Sequence, residues 1–311
     1  MKIFVTKQIP GEHLEKLSSA GHELSEKLEG VDAVLTLLTD RVDGDFMDLA
    51  GSQLKIISNY AVGFDNIDVK AATDRGIVVA NTPCDEVNEA VAEHTWALIL
   101  ALARRIVESD EFVRDQGYFA GKGGYRGWEP DLFLGTNLIG KTLGIVGLGR
   151  IGTMVARRAQ GYNMKLLYFK HGDGSDVFNT LLSESDFVTL HVPLTKETRH
   201  MINKDTLSKM KKGAFLINTA RGPVVSEPDL VGVLKEGQLS GAALDVFDNE
   251  PNISPELKAM PNVILTPHVA SATWEARNKM GELAISAIID TLSSQKPQNL
   301  VNEEVWLTRR K

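Results

Sequence analysis

The stretch that most constrains this chain is GIVGLGRIG, residues 144–152. It begins inside the strand-like run TLGIV and leads into the helical run MVARRAQG, so its G-x-G-x-x-G sits at a strand-to-helix turn. In that context the three glycines have separate tasks. Gly147 allows the tight turn, Gly149 lets backbone N–H groups approach a pyrophosphate, and Gly152 permits close helix-on-strand packing. The N-terminus of the following helix adds partial positive charge where phosphates would lie. The pattern alone is a bare turn, but with its flanking strand and helix it predicts a dinucleotide site on a parallel α/β sheet.

The rest of the sequence is built to match. From KTLGIVG onward, strand candidates at 142–146, 165–169, 187–192, 214–219, 241–246 and 263–268 alternate with helical spacers. Six such strands are the count of a doubly wound nucleotide-binding sheet of order 3-2-1-4-5-6. Only about 17 residues separate the second and third of them, little more than the dozen or so that a crossover needs. The first hundred residues show a similar alternation on a smaller scale, from KIFVT to IVVANTP, and form an α/β unit of their own. A long helical pattern from Asp85 to Asp115 connects the two, followed by a Gly- and aromatic-rich loop, GYFAGKGGYRGWEPDLFLGTNLIG. A last helical run, ATWEARNKMGELAISAIIDTLSSQ, is expected to return to the first unit and make it discontinuous. The expected segments are 1–95 and 281–311 for a substrate domain and 96–280 for the dinucleotide domain.

Composition narrows the function classes. A net charge of -7 with scattered basic residues leaves no electrostatic footprint for nucleic acid. The longest apolar run, WALILALA, is too short to span a bilayer, and the N-terminus lacks a signal-peptide pattern. Neither nucleic-acid nor membrane partners are expected. One cysteine, Cys84, excludes an intramolecular disulfide and a CxxC metal or redox site, which fits a cytoplasmic location. No metal site is expected, and Cys84 lies in NTPCDE beside two carboxylates, which disfavour a reactive thiolate.

Ligands of an open α/β sheet bind outside the carboxyl ends of its strands. The second strand should end in an acidic residue that holds a ribose 2′-hydroxyl, but Lys170 stands there with His171 beside it. That positive charge suits a 2′-phosphate and favours NADP over NAD; Asp173 or Asp176 is the alternative ribose contact. Three later strands end at or near Arg221, Glu250 and His268. Arg221 can grip a carboxylate in a bidentate fork. His268 can exchange a proton with a carbonyl oxygen while a hydride is transferred. Glu250 can hydrogen-bond that imidazole and fix its orientation.

NYAVGFDNID, GIVGLGRIG, LHVPLTKET, INTARGPVV, AALDVFDNEP and VILTPHVA, in this order, resemble the D-isomer-specific 2-hydroxyacid dehydrogenase family over nearly the whole chain. Gly127-Trp128-Glu129-Pro130 and the following LGTNLIGKTLGIVGLGRIG are most similar to its glyoxylate and hydroxypyruvate reductase branch. The resemblance implies two doubly wound parallel-sheet α/β domains, a Rossmann NAD(P)-binding domain inserted in a smaller flavodoxin-like substrate domain. It implies hydride transfer from NAD(P)H to a small 2-keto acid by Arg221, Glu250 and His268, in a homodimer built through the nucleotide domain. Substrate carboxylate contacts fall on the amides of Val62 and Gly63 along with Arg221 and His268. Cofactor contacts fall on Gly147, Gly149, Arg150, Ile151, Gly152, Lys170, His171, Val192, Pro193, Thr198, Thr219, Ala220 and Asp245, with Asp245 near the nicotinamide carboxamide. Leu37, Leu38, Thr39 and Trp128 are candidates for the substrate pocket; the first three are equally candidates for core, and Trp128 for a dimer contact. The resemblance leaves two alternatives: a nicotinamide-sensing co-repressor-like protein, or a same-fold dehydrogenase for D-lactate, phosphoglycerate, phosphite or formate. Compared with the family, the segment between the second and third nucleotide-domain strands is short, which bears on the adenine side of the site.

Overall fold

The computed structural model describes residues 1–114 and 129–310, and the chain forms two compact units: Met1–Val87 with Ala272–Lys311, and Asn88–Ser271.

In the first unit, β1 (Lys2–Val5), β2 (Glu23–Ser25), β3 (Ala33–Thr36), β4 (Ile56–Asn59) and β5 (Val78–Ala80) form one sheet of order β2-β1-β3-β4-β5. Every pairing is parallel. This is the flavodoxin-like order 2-1-3-4-5. β3, β4 and β5 are buried along their whole length, as strands covered by helices on both faces must be. β2 carries no recognisable strand pattern: it is three residues long, largely exposed, and exists because β1 offers it an edge. The helices α1 (Glu15–Ser19), α2 (Gly44–Ala50) and α3 (Val69–Asp74) are short. Asp43 and Asp68 start α2 and α3 by accepting the amides of Phe46 and Ala71. The helix Trp274–Leu292 belongs to this unit, held by Ser58 Oγ donating to Ala284 O and Tyr60 Oη to Arg277 O. The tail is fastened by Asn302, whose side chain accepts from Val79 N and donates to Ile77 O.

The second unit contains α4 (from Asp85–Arg104), α5 (Ile106–Arg114), β6 (Thr142–Val146), α6 (Arg150–Ala159), β7 (Lys165–Phe169), α7 (Ser175–Glu184), β8 (Phe187–Leu190), α8 (Lys204–Lys209), β9 (Ala214–Asn218), α9 (Glu227–Lys235), β10 (Leu239–Leu244), α10 (Pro255–Lys258) and β11 (Val263–Leu265). The helical pattern from Asp85 is broken at Arg105, which takes φ 53 between α4 and α5. The strands alternate their side chains between two cores. Ile145, Ile217 and Ala243 pack with Trp96 and Ile99 of α4 and Val155 of α6. Val146, Leu216 and Leu244 pack with Leu181 of α7, Leu207 of α8 and Leu230 of α9.

The six strands are present and parallel, but their order is β11-β10-β9-β8-β6-β7. Counted within this unit that is 2-1-3-4-5-6, which corrects the expected 3-2-1-4-5-6. The reason is length. The residues between β7 and β8 hold one tight turn and α7, a single crossover that delivers β8 to the far side of β6. Among the described residues no strand is added outside β7, so β7 is the sheet edge.

Candidate active site

The glycine loop forms as its spacing requires. Gly147 takes φ +98, and a Cβ there would lie 2.4 Å from His191 O; a Cβ on Gly152 would lie 2.1 Å from Gly147 O. Gly149 differs: it is the N-cap of α6, and a Cβ on it would meet nothing within 4 Å. The turn is packed tightly from below and open above the first turn of α6, where Arg150 and Ile151 follow. That opening beside a helix N-terminus fits the pyrophosphate of a dinucleotide.

Three neighbouring strands finish at the same end of the sheet as this loop, in register at Asn218, Leu244 and Leu265. Past β9, Asn218 accepts from Ala220 N at 3.0 Å and donates to Arg221 O at 2.9 Å, which shapes the Thr219–Arg221 backbone. The guanidinium of Arg221 donates to Ala220 O at 2.7 Å. Thr219 is buried, with its hydroxyl 2.9 Å from that of Thr95 on α4. Past β10, Glu250 Oε1 accepts from Phe247 N at 2.9 Å, and Glu250 Oε2 lies 3.0 Å from His268 Nδ1. Burial works against the charge of Glu250, but the bonds from His268 and Phe247 outweigh it and hold the carboxyl below its usual range. The structure therefore joins Glu250 to His268 and sets Arg221 at the end of the next strand but one.

His268 itself is left-handed, φ 54, a conformation that costs a non-glycine residue about 1–2 kcal/mol. Asp245, wholly buried at the end of β10, holds it there. His268 N donates to Asp245 O at 2.8 Å; Thr266 Oγ1 donates to Asp245 Oδ1 at 2.6 Å; Val269 N and Ala270 N donate to the two carboxylate oxygens at 2.9 Å. Burial would raise the pKa of Asp245, but His94, Thr266 and the two amides together hold it below the ordinary carboxylate value. His94 and Thr266 were not evident as site residues. Thr266 has one signal, its place two residues before His268; His94 lies 172 residues from Thr266 in sequence and has none.

At the β7 end, Lys170 N donates to Asp173 Oδ2 at 2.9 Å, and Asp173 N to Lys170 O at 3.1 Å. The Asp173 carboxylate thus closes its own turn, while His171 is exposed and Asp176 lies in the first turn of α7. Val192 and Pro193 follow β8, in a loop tied by Thr198 Oγ1 donating to Pro193 O at 2.7 Å. In the first unit, Asn81 holds Val62 O at 2.7 Å and Asn59 holds Gly63 O at 2.9 Å, which fixes the orientation of those peptides. Leu37 and Leu38 are half-buried and Thr39 exposed just past β3, so none of them is a fully buried core residue. Trp128 lies outside the described residues. The Cys84 thiol is pushed up in pKa, first by burial and then by Glu86, consistent with an unreactive thiol. Among the described residues no group of His, Cys, Asp or Glu could hold a metal ion, and no helix is long and apolar enough to cross a membrane.

A family profile described as "D-isomer specific 2-hydroxyacid dehydrogenase, NAD binding domain" matches residues 96–270, more than half of the chain. The chain belongs to the D-isomer-specific 2-hydroxyacid dehydrogenase family. This dehydrogenase is 47% identical to a glyoxylate reductase of Thermococcus litoralis over 328 aligned positions, covering 98% of this chain and 97% of the relative. That alignment is longer than the 311 residues of the chain, so the relative carries residues with no counterpart here. A crystal structure of a Thermus thermophilus protein is similar at a TM-score of 0.89 and 39% identity, over 97% of this chain and all of that one. An NADPH-dependent glyoxylate/hydroxypyruvate reductase of Sinorhizobium meliloti, solved with NADP and malonate, is similar at a TM-score of 0.83 and 31% identity, over 100% and 98% of the two chains. The second unit is the family's nucleotide-binding domain, and the cofactor is a nicotinamide dinucleotide.

Proposed function

We propose that this dehydrogenase reduces glyoxylate, or hydroxypyruvate, to the corresponding 2-hydroxy acid, of D configuration where the product is chiral. The observation that carries the catalytic assignment is the His268–Glu250 pair, 3.0 Å apart at the same end of the sheet as the glycine loop. With Nδ1 turned to Glu250, the other ring nitrogen, Nε2, serves the substrate oxygen. A bound reduced nicotinamide supplies the hydride, and His268 supplies the proton that completes the hydroxyl. Glu250 keeps the ring oriented by accepting a hydrogen bond from its Nδ1–H. Arg221 holds the substrate carboxylate. The pyrophosphate is assigned to Gly147, Gly149, Arg150, Ile151 and Gly152, the nicotinamide side to Thr219, Ala220 and Asp245, and the adenine side to Val192, Pro193 and Thr198.

NADP is the favoured cofactor, because Lys170 and His171 supply basic side chains at the ribose end while Asp173 Oδ2 already accepts Lys170 N. A homodimer through the nucleotide domain is supported by apolar side chains exposed on and after α5: Ile106, Val107, Val113, Leu134 and Ile139. The single cysteine, half-buried and free, suits a cytoplasmic enzyme. The relatives' names favour glyoxylate over the sensing, D-lactate, phosphoglycerate, phosphite or formate alternatives.

The test is consumption of NADPH and NADH, followed by absorbance, with glyoxylate, hydroxypyruvate and pyruvate in parallel. Turnover with glyoxylate is expected, and His268→Ala should lower kcat by at least about 10²-fold with cofactor affinity retained. No turnover with any keto acid would overturn the enzymatic reading; wild-type-like turnover of His268→Ala would overturn the proton-donor assignment alone.

A further inference from the structure

The turn Thr266–Ala270 has almost all of its polar groups directed at one residue. Asp245 accepts from Thr266, Val269 and Ala270 through its carboxylate and from His268 through its carbonyl; Pro267, between them, has no N–H to place. A fifth group reaches this cluster from another element. His94, on α4, places Nε2 3.2 Å from Thr266 Oγ1 and 3.6 Å from Asp245 Oδ1. The Thr266 hydroxyl has one proton, and its 2.6 Å contact shows that it goes to Asp245. At His94 the same hydroxyl can therefore only accept, which assigns the His94 proton to Nε2 and makes the chain run His94 to Thr266 to Asp245.

We propose that His94 is a positioning residue of the reaction: through Thr266 and Asp245 it fixes the left-handed turn that aims His268. Glu250 orients the ring of His268 through its Nδ1 edge but does not set its backbone. Where the ring's backbone stands is decided by Asp245, and the Asp245 carboxylate is held and oriented by the donors around it. Without His94, one of those donors is lost and the Thr266 hydroxyl can turn away from the carboxylate. The turn then relaxes toward a less strained backbone, displacing the proton donor while the glycine loop stays in place. A displacement of this kind slows the chemical step far more than it weakens binding.

This proposal rests on His268 being the proton donor, and the experiment separates the two. His94→Leu and Thr266→Val are compared with His94→Gln and Thr266→Ser, which keep a donor or hydroxyl, and with His268→Ala. Each protein is titrated with reduced cofactor by fluorescence, so that kcat is expressed per cofactor-binding site. His94→Leu and Thr266→Val are expected to lose roughly ten-fold or more in kcat per site, with cofactor Kd within about two-fold of wild type. The Gln and Ser variants should recover most of it. His94→Leu combined with Thr266→Val should be little worse than either alone, since both act through one path. Wild-type kcat per site in His94→Leu, or a loss that appears only as fewer binding sites, overturns the positioning role, because lost sites mean lost folding. A loss of cofactor affinity in step with kcat also overturns it and shows that His94 and Thr266 act through cofactor binding instead. If His268→Ala keeps its turnover, the proton-donor reading fails first.

Discussion

The two ends of the nucleotide-domain sheet are held to different degrees. At the β10–β11 end a buried carboxylate gathers a hydroxyl and three amides, counting its own carbonyl, around a strained histidine. At the β7 end the chain makes one short turn closed by Asp173 on Lys170 N, on an edge strand with Tyr168 exposed. The difference teaches where this protein invests rigidity. The reacting groups must be placed to within a fraction of an ångström, whereas the adenosine of a cofactor needs only a surface and a charge. A shortened segment is tolerable at the second end and would be disabling at the first.

Substitutions at both ends test that contrast. Glu250→Gln keeps the shape next to His268 but removes the charge, and kcat should fall by about 10²-fold with little change in cofactor affinity, measured by steady-state kinetics and fluorescence titration. A fall below about three-fold would show that His268 does not rely on Glu250. Lys170→Asp acts at the permissive end. It should lower the NADPH to NADH ratio of kcat/KM by about ten-fold, as expected for one lost charge-assisted contact, and leave kcat with NADH near wild type. An unchanged ratio would remove Lys170 from cofactor choice, and a collapse of kcat with both cofactors would show that the β7 end is not permissive.

The smallest expected effect lies between the two ends, at His191. Its Nε2 is 3.0 Å from Thr189 Oγ1, and although the residue keeps some exposure, burial of the ring pushes its pKa from 6.5 down to about 3. Between those values the unfolded chain binds a proton that the folded chain does not. Stability therefore falls as pH drops below about 6.5, by at most about 1.4 kcal/mol per pH unit from this residue. His191→Gln should flatten the dependence of the urea midpoint on pH between about 5 and 6.5; an unchanged slope would show that His191 is not its source.

Much of this was legible in the residues themselves. Gly147 and Gly152 sit where a side chain would strike backbone, and the apolar runs at Thr142–Val146 and Lys165–Phe169 are strands over their expected length. Arg221, Glu250 and His268 could be picked out because each comes after a strand, and parallel strands deliver the residues at their carboxyl ends to one end of a sheet. The order of those strands was not legible. Crossover length limits where a strand can go but does not say on which side of β6 it will pair, and β8 pairs between β6 and β9.

By itself, then, the sequence determined the alternating α/β plan, the glycine loop and the residue types of the candidate site, because these come from local periodicity and from the stereochemistry of glycine. Only the tertiary structure decided that β7 is an edge, that Asp173 is consumed by its own turn, and that His94 and Asp245 hold the turn bearing His268. The strand order and the His94 contact depend on hydrogen bonds between residues far apart in the chain, and no local pattern specifies which distant donor a buried carboxylate will meet.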